Sequence, residues 1–282
     1  KKITLIGGLL LWIFFGLFLG VSILINSENL IFLKFFLFSS LFFLVGIIDD
    51  KFNLNPNLRL ILLFITSSFL YKILDLQFIS SIFIDDYGLV HIKYTNIILT
   101  IFCILLFQNA MNMIDGLNGL SSSLFIGVLL FILFKNKTFD SFLIINFLVL
   151  ILIFMYFNLN NKIFLGDSGV YFIASLCAII IIHLSQNQTN LSANSIFLIM
   201  ILPGIDMFRL FIERSINKKN PFKADKNHLH HHLIKKNSLY LTLIIILSLG
   251  YIPILTYEIL NLNSYIIVFL FLFFYFIFLK KN

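Results

Sequence analysis

Residues Leu30–Asp50 read LIFLKFFLFSSLFFLVGIIDD, a long apolar run whose one early charge is Lys34 and which closes on two adjacent carboxylates. As an α-helix rising about 1.5 Å per residue, such a run crosses the roughly 30 Å apolar core of a bilayer. It carries no sustained polar face, so its sides belong against lipid or other apolar helices. Comparable runs are predicted at 5–25, 30–48, 58–74, 96–113, 118–134, 140–157, 168–185, 194–213, 238–257 and 263–279. The whole chain of 282 residues is 60% hydrophobic and 12% charged, with a mean hydropathy of +1.02. Soluble domains carry about a quarter of their residues as charges. Half that supply cannot cover a water-soluble globule. The expected fold is therefore an all-α polytopic membrane protein of about ten transmembrane helices, forming one domain over residues 1–282.

Three local features modify this plan. Pro203 lies inside the eighth run and predicts a bend or break, because its nitrogen cannot donate. Segment 76–95 alternates apolar and polar residues around Asp85-Asp86-Tyr87-Gly88, the pattern of a short external β-hairpin. Cys103 and Cys177 both sit in apolar runs and read as packing residues rather than a disulfide. The first residue is Lys1 with no signal peptide behind it, so an N-terminal piece is expected to precede this chain.

Basic residues set the orientation. Of the 20 Lys and Arg, three quarters fall on one set of loops and ends, including Lys1-Lys2, Lys280-Lys281 and the loop 214–237. The positive-inside rule makes that side cytoplasmic, and an even number of spans returns the chain to it.

On the same side stand the carboxylates. Asp49 and Asp50 follow Gly46-Ile-Ile, Asp115 opens Asp115-Gly-Leu-Asn-Gly, and Asp167 sits in Gly166-Asp-Ser-Gly. An Asp within a span costs about 2.5–3.5 kcal/mol, and none has a basic residue at i+4 in its own span to neutralise it. One alone reads as a helix end at the water interface. Four on one face, three of them close to Gly, read as a site where a cation relieves mutual repulsion. An oxygen-only donor set suits Mg²⁺, with Mn²⁺ as a substitute.

Segment 108–120 is the densest polar patch. Asn109, Asn112 and Asp115 recur at i, i+3 and i+6, one stripe of a helix, and Gly116 and Gly119 permit a tight turn after it. Amide groups there match a nucleobase edge or a sugar amide; polar contacts between helices are the plainer alternative. The basic loop adds His228, His230, His231 and His232. These suit either a transition metal or a phosphate, and the surrounding lysines, with no cysteine and no zinc spacing, favour the anion.

Taken in order, these motifs resemble the polyprenyl-phosphate N-acetylhexosamine-1-phosphate transferase family (glycosyltransferase family 4). The resemblance rests on Gly7-Gly8, then Asp49-Asp50 with Leu54 and Arg59, then Asn109-x-x-Asn112-x-x-Asp115-Gly-Leu-Asn118-Gly-Leu120. It continues through Phe164-Leu-Gly-Asp-Ser-Gly169, Pro203-x-x-Asp206, Arg214 and Pro221-Phe-x-Ala-Asp-x-x-His-Leu-His-His. The last motif is similar to the branch that starts O-antigen, teichoic acid and related glycans. Asn118 departs from the Asp common at its position, Val170 from a small Ser, and Asn158 stands one position from the Asn expected before the glycine–aspartate motif.

The resemblance implies a Mg²⁺-dependent enzyme of eleven spans in the bacterial inner membrane, one span preceding Lys1, with its site facing the cytoplasm. A polyprenyl (undecaprenyl) phosphate attacks a UDP-N-acetylhexosamine and releases UMP. Asp167 and Asp50 are implied as metal ligands. Asp49 either orients the attacking phosphate or forms an aspartyl intermediate, which makes Asp49, Asp50, Asp115 and Asp167 the catalytic set. Asn112, Asp115, Asn118 and Asn158 are implied at the nucleotide, and His228, His230 and His231 at the sugar diphosphate. The bilayer and both substrates are the implied partners, with a second copy of the chain a candidate and no nucleic acid expected. A non-enzyme reading, a cation transporter with histidines as metal sensor, calls for carboxylates near the midplane and often inverted repeats, neither of which the sequence displays.

Overall fold

The computed structural model describes residues 6–25, 30–74, 76–85, 87–135, 141–187, 191–221 and 226–280. Helices run in the order α1 (Gly7–Ile25), α2 (Leu30–Phe52), α3 (Pro56–Ile73), α4 (Asn96–Ile114), α5 (Leu120–Lys135) and α6 (Ser141–Leu159). They continue as α7 (Gly166–Asn187), α8 (Ala193–Ile199), α9 (Ile201–Ile216), α10 (Leu229–Ile234), α11 (Leu239–Leu260) and α12 (Ser264–Lys280). Strands β1 (Ser81–Ile84) and β2 (Gly88–His91) form the expected antiparallel hairpin, with Ser81 opposite His91. Asp86 of its turn lies outside the described residues, as do Lys1, Lys2, Lys137, Lys281 and the stretch 222–225 of the histidine motif.

Each predicted apolar run is helical. Six of these helices are long and apolar enough to cross a membrane, and a seventh counts if α8 and α9 are one bent span. Helices α5 and α12 are apolar but shorter, at 16 and 17 residues. The eighth run differs from expectation in where it breaks. The axis turns by 73° at Met200, three residues before Pro203. The proline ring excludes the carbonyl one turn earlier, so Pro203 ends in the first turn of α9, where a missing N–H costs nothing. Loop 214–237 is also more structured than the sequence suggested: α9 extends to Ile216, and Leu229 and Leu233 bury one face of α10.

Helix α7 is the axis of the molecule, almost wholly buried and packed by α1, α2, α4 and α5. Phe172 on α7 meets Phe36 and Phe43 of α2 and Phe147 of α6 edge-on. Trp12 of α1 stacks on Phe43 at 5.2 Å and donates its indole N–H to Ser40 at 2.8 Å, so the bulky ring enters the interface with its polar atom satisfied.

Close approach of three backbones at the start of α7 positions the site. Gly7 and Gly8 donate their N–H groups to the carbonyls of Phe164 and Leu165 at 3.0 and 3.1 Å. A Cβ on Gly46 would collide with the backbone of Ser168, and one on Gly8 with the backbone of Gly169. Only glycine lets α2 slide in this far, which is what brings its last turn, with Asp49 and Asp50, to the head of α7. Gly46→Ala is expected to cost about 1–3 kcal/mol by overpacking and to lower the thermal unfolding midpoint; an unchanged midpoint would mean the helices separate freely here.

The hairpin closes the opposite end. Gln186 near the end of α7 accepts from the Ser80 N–H at 2.9 Å, and Thr100 near the start of α4 accepts from the Ile79 N–H at 2.9 Å.

Candidate active site

Asp50 caps α7 from a different helix. Its Oδ1 accepts the N–H of Asp167 at 2.8 Å and its Oδ2 that of Ser168 at 3.1 Å. A helix start leaves such donors unpaired and carries partial positive charge, so a carboxylate belongs there. Gly166, at φ +73, makes the turn into the helix and leaves room for the Asp50 carboxylate.

Asp49 is buried. Its Oδ1 accepts the Leu54 N–H at 3.0 Å and its Oδ2 pairs with Arg59 at 3.4 Å. The base that pairs with Asp49 therefore comes from α3. Asp49 also lies within hydrogen-bonding reach of the Asp167 side chain, where Asp50 adds its charge. Carboxylates this close repel one another, and a cation among them would relieve that repulsion.

Asp115 completes the wall. It is the C-cap of α4 and accepts a hydrogen bond from Ser121 Oγ at 2.5 Å. Burial, with some help from the charge of Asp50 and against the Ser121 bond, pushes its carboxyl up to about 6. Asp50, Asp115, Asn118, Asn158 and Asp167 together line one polar cavity of about 300 Å³.

The asparagines take different roles from one another. Asn158 accepts the Gly119 N–H at 2.6 Å and donates to the Ile163 carbonyl at 2.8 Å, bracing the turn after α4 against the loop before α7. Asn118 donates to Asn161 at 2.7 Å on the cavity rim. Asn112 donates to the buried Tyr171 hydroxyl at 2.9 Å. Asn109 donates its amide to the Leu105 carbonyl of its own helix at 2.9 Å.

The histidines reach the same end of the bundle. His230 is buried with its ring against Gly116, next to Asp115, and neither ring nitrogen has a hydrogen-bond partner among the described residues. Burial, then His231 and His228, push His230 down to about 3, so it is neutral at physiological pH. Burial likewise lowers His231. His228 and His230 stack with centroids 5.4 Å apart, and His230 and His231 lie 4.2 Å apart. Asp206, which the sequence placed in a motif without a role, holds His228 Nδ1 at 2.7 Å. Tyr275 of α12 and Arg209 reach the same carboxylate, and no local pattern in the sequence pointed to Tyr275.

Among the described residues no three His, Cys, Asp or Glu side chains form a ready-made metal cage. Mg²⁺ does not need one: it keeps several waters and binds through one or two carboxylates plus substrate phosphates. The crowded, oxygen-only set at Asp167 fits that kind of site. Each Asp50 oxygen already holds one backbone N–H.

An apolar helix bundle with an acidic, amide-rimmed cavity at one end is the architecture of a multi-pass membrane protein. Residues 32–185, more than half of the chain, match Glycosyl transferase family 4. The chain belongs to that family. It is 28% identical over 253 residues to the undecaprenyl-phosphate alpha-N-acetylglucosaminyl 1-phosphate transferase of Thermotoga maritima, covering 87% of this chain and 75% of that protein. It is 29% identical over 198 residues to a probable undecaprenyl-phosphate N-acetylglucosaminyl 1-phosphate transferase of Bacillus subtilis, 67% of this chain and 54% of the relative. A Salmonella typhi transferase of the same activity is 26% identical over 197 residues, again 54% of its length. The chain thus spans about half the length of the latter two.

Proposed function

We propose that this protein transfers N-acetylglucosamine 1-phosphate from UDP-N-acetylglucosamine to undecaprenyl phosphate, giving the lipid diphosphate sugar and UMP. The observation that carries this reading is the single cavity gathering Asp50, Asp115, Asn118, Asn158 and Asp167 at one end of an apolar bundle. A lipid acceptor needs a bilayer and a nucleotide sugar comes from water, so their meeting point belongs at such an end. The bias of Lys and Arg supports ten crossings with this end in the cytoplasm.

A phosphate monoester is mostly dianionic at pH 7, so the attacking oxygen needs little help from a base. The difficulty is bringing it to a diphosphate. Bound Mg²⁺ would supply Lewis-acid charge stabilisation there, held by Asp167 and, through its remaining lone pairs, Asp50. Asp50 keeps Asp167 in place by capping α7. Asp49, restrained by Arg59 and Leu54, orients the acceptor phosphate. Asn112, Asp115 and Asn118 meet the nucleotide, Asn158 holds the turn that carries Asn118, and His228, His230 and His231 serve the sugar diphosphate. The transporter reading has no support: the carboxylates stand at helix ends, and the relatives above carry transferase names.

The test is UMP release by purified protein in bilayer discs. UMP should appear only when UDP-N-acetylglucosamine, undecaprenyl phosphate and a divalent cation are all present, and chelation should stop it reversibly. Absence of UMP under every combination would overturn the reading.

A further inference from the structure

Asp206 lies in the second turn of α9, buried, and four donors converge on it. Its Oδ1 accepts from the Tyr275 hydroxyl at 2.6 Å, Arg209 Nη2 at 3.0 Å and the Leu229 N–H at 3.3 Å; its Oδ2 faces His228 Nδ1 at 2.7 Å. Arg209 in turn donates to the Asn227 carbonyl at 2.6 Å, just before His228. One carboxylate therefore fastens α9, α12 and the histidine segment together.

The consequence reaches the cavity through ring packing. A carboxylate only accepts, so the His228 nitrogen facing it carries the proton. That fixes the tautomer and the plane of the ring. His230 stacks on this plane at an angle of 17°, and its far edge rests in the notch left by Gly116, beside Asp115. Among the described residues neither His230 nitrogen has a partner, so ring packing is what holds it there.

We infer that Asp206 is a positioning residue of the site: through His228 Nδ1 it sets the imidazole stack and so seats His230 against Gly116 at the edge of the carboxylate cavity. This rests on the transferase reading of that cavity. Tyr275 and Arg209 anchor the carboxylate, while the bond to His228 carries the effect on the donor substrate.

The experiment compares Asp206→Asn, Tyr275→Phe, His228→Asn and His228→Gln. Asp206→Asn should raise KM for UDP-N-acetylglucosamine by about 10- to 100-fold, with a smaller change in kcat. Tyr275→Phe, which removes a short bond to the same carboxylate but spares His228, should change KM less than threefold. Equal KM losses in the two would reduce Asp206 to a structural fastener and overturn the inference. His228→Asn places an amide donor near the Nδ1 position, whereas the His228→Gln amide reaches the Nε2 position. Asn should therefore retain more activity than Gln, and the reverse order would overturn the inference even if Asp206→Asn does not fold. Nitrogen-15 spectra of ring-labelled protein give a readout apart from turnover: His228 should show a protonated Nδ1 in the parent and in Tyr275→Phe, and a tautomer mixture in Asp206→Asn. Should the parent release no UMP, the function reading fails on its own, while an unprotonated His228 Nδ1 sinks the positioning role separately.

Discussion

Asp167→Asn should lower kcat by about 10³-fold or more while leaving the protein folded. The amide keeps the shape of the carboxyl but removes the charge that a cation and its phosphates need. It also removes one of three carboxylates crowded at the head of α7, so the variant should melt no lower than its parent. The pairing of those two results matters. A folding defect would depress both, and a metal-site defect only the first. UMP release in bilayer discs, with thermal unfolding measured on the same samples, checks it. Activity within tenfold of the parent would remove Asp167 from the site.

The second large effect has opposite signs for activity and stability. Asp115 titrates near 3.8 when unperturbed and is pushed to about 6 in the fold. Between those values the folded state holds more protons than the unfolded one, so stability falls as pH rises through that window. Above about pH 6 the full cost of keeping a charged, largely desolvated carboxylate is present. Asp115→Asn should then be more stable than its parent by about 1–3 kcal/mol at pH 7.5, with the difference vanishing below about pH 4. Activity should move the other way, falling by about 10²-fold at pH 7.5 if the ionised form meets the substrate. The parent's activity should also rise with pH through about 6, a limb the variant lacks. Thermal melts at pH 4 and pH 7.5 decide the stability half. A variant less stable than its parent at pH 7.5 would mean that the Ser121 bond outweighs burial.

The sequence was informative about which residues are polar among apolar ones and where they fall along each helix. Asp49, Asp50, Asp115 and Asp167 were legible because charge at the end of an apolar run is rare, and Pro203 because a proline leaves few choices to a helix. The hairpin was legible from the alternation of apolar and polar residues around Asp85-Asp86-Tyr87-Gly88. The partner of Asn109 was not legible, because i+3 spacing assigns a face but not a partner; its amide donates to the Leu105 carbonyl of its own helix. Arg59 and Tyr275 went unassigned for a related reason: each serves a carboxylate on another helix.

The sequence by itself determined an all-helical membrane bundle, its hairpin, and the resemblance to a transferase family. These follow from hydropathy, turn chemistry and the order of short motifs, all local along the chain. Tertiary structure decided what each polar group does. Asp50 caps a helix that begins at Gly166, more than a hundred residues on, because Gly8 and Gly46 let α1 and α2 pack directly on the backbone of α7. Asp206 and Tyr275 meet because α9 turns at Met200 and α12 packs beside the histidine segment. Within lipid, apolar surface gives helices no hydrophobic reason to meet, because the lipid tails are equally apolar. Close packing of small residues and the cost of leaving buried polar atoms unpaired decide which residues touch.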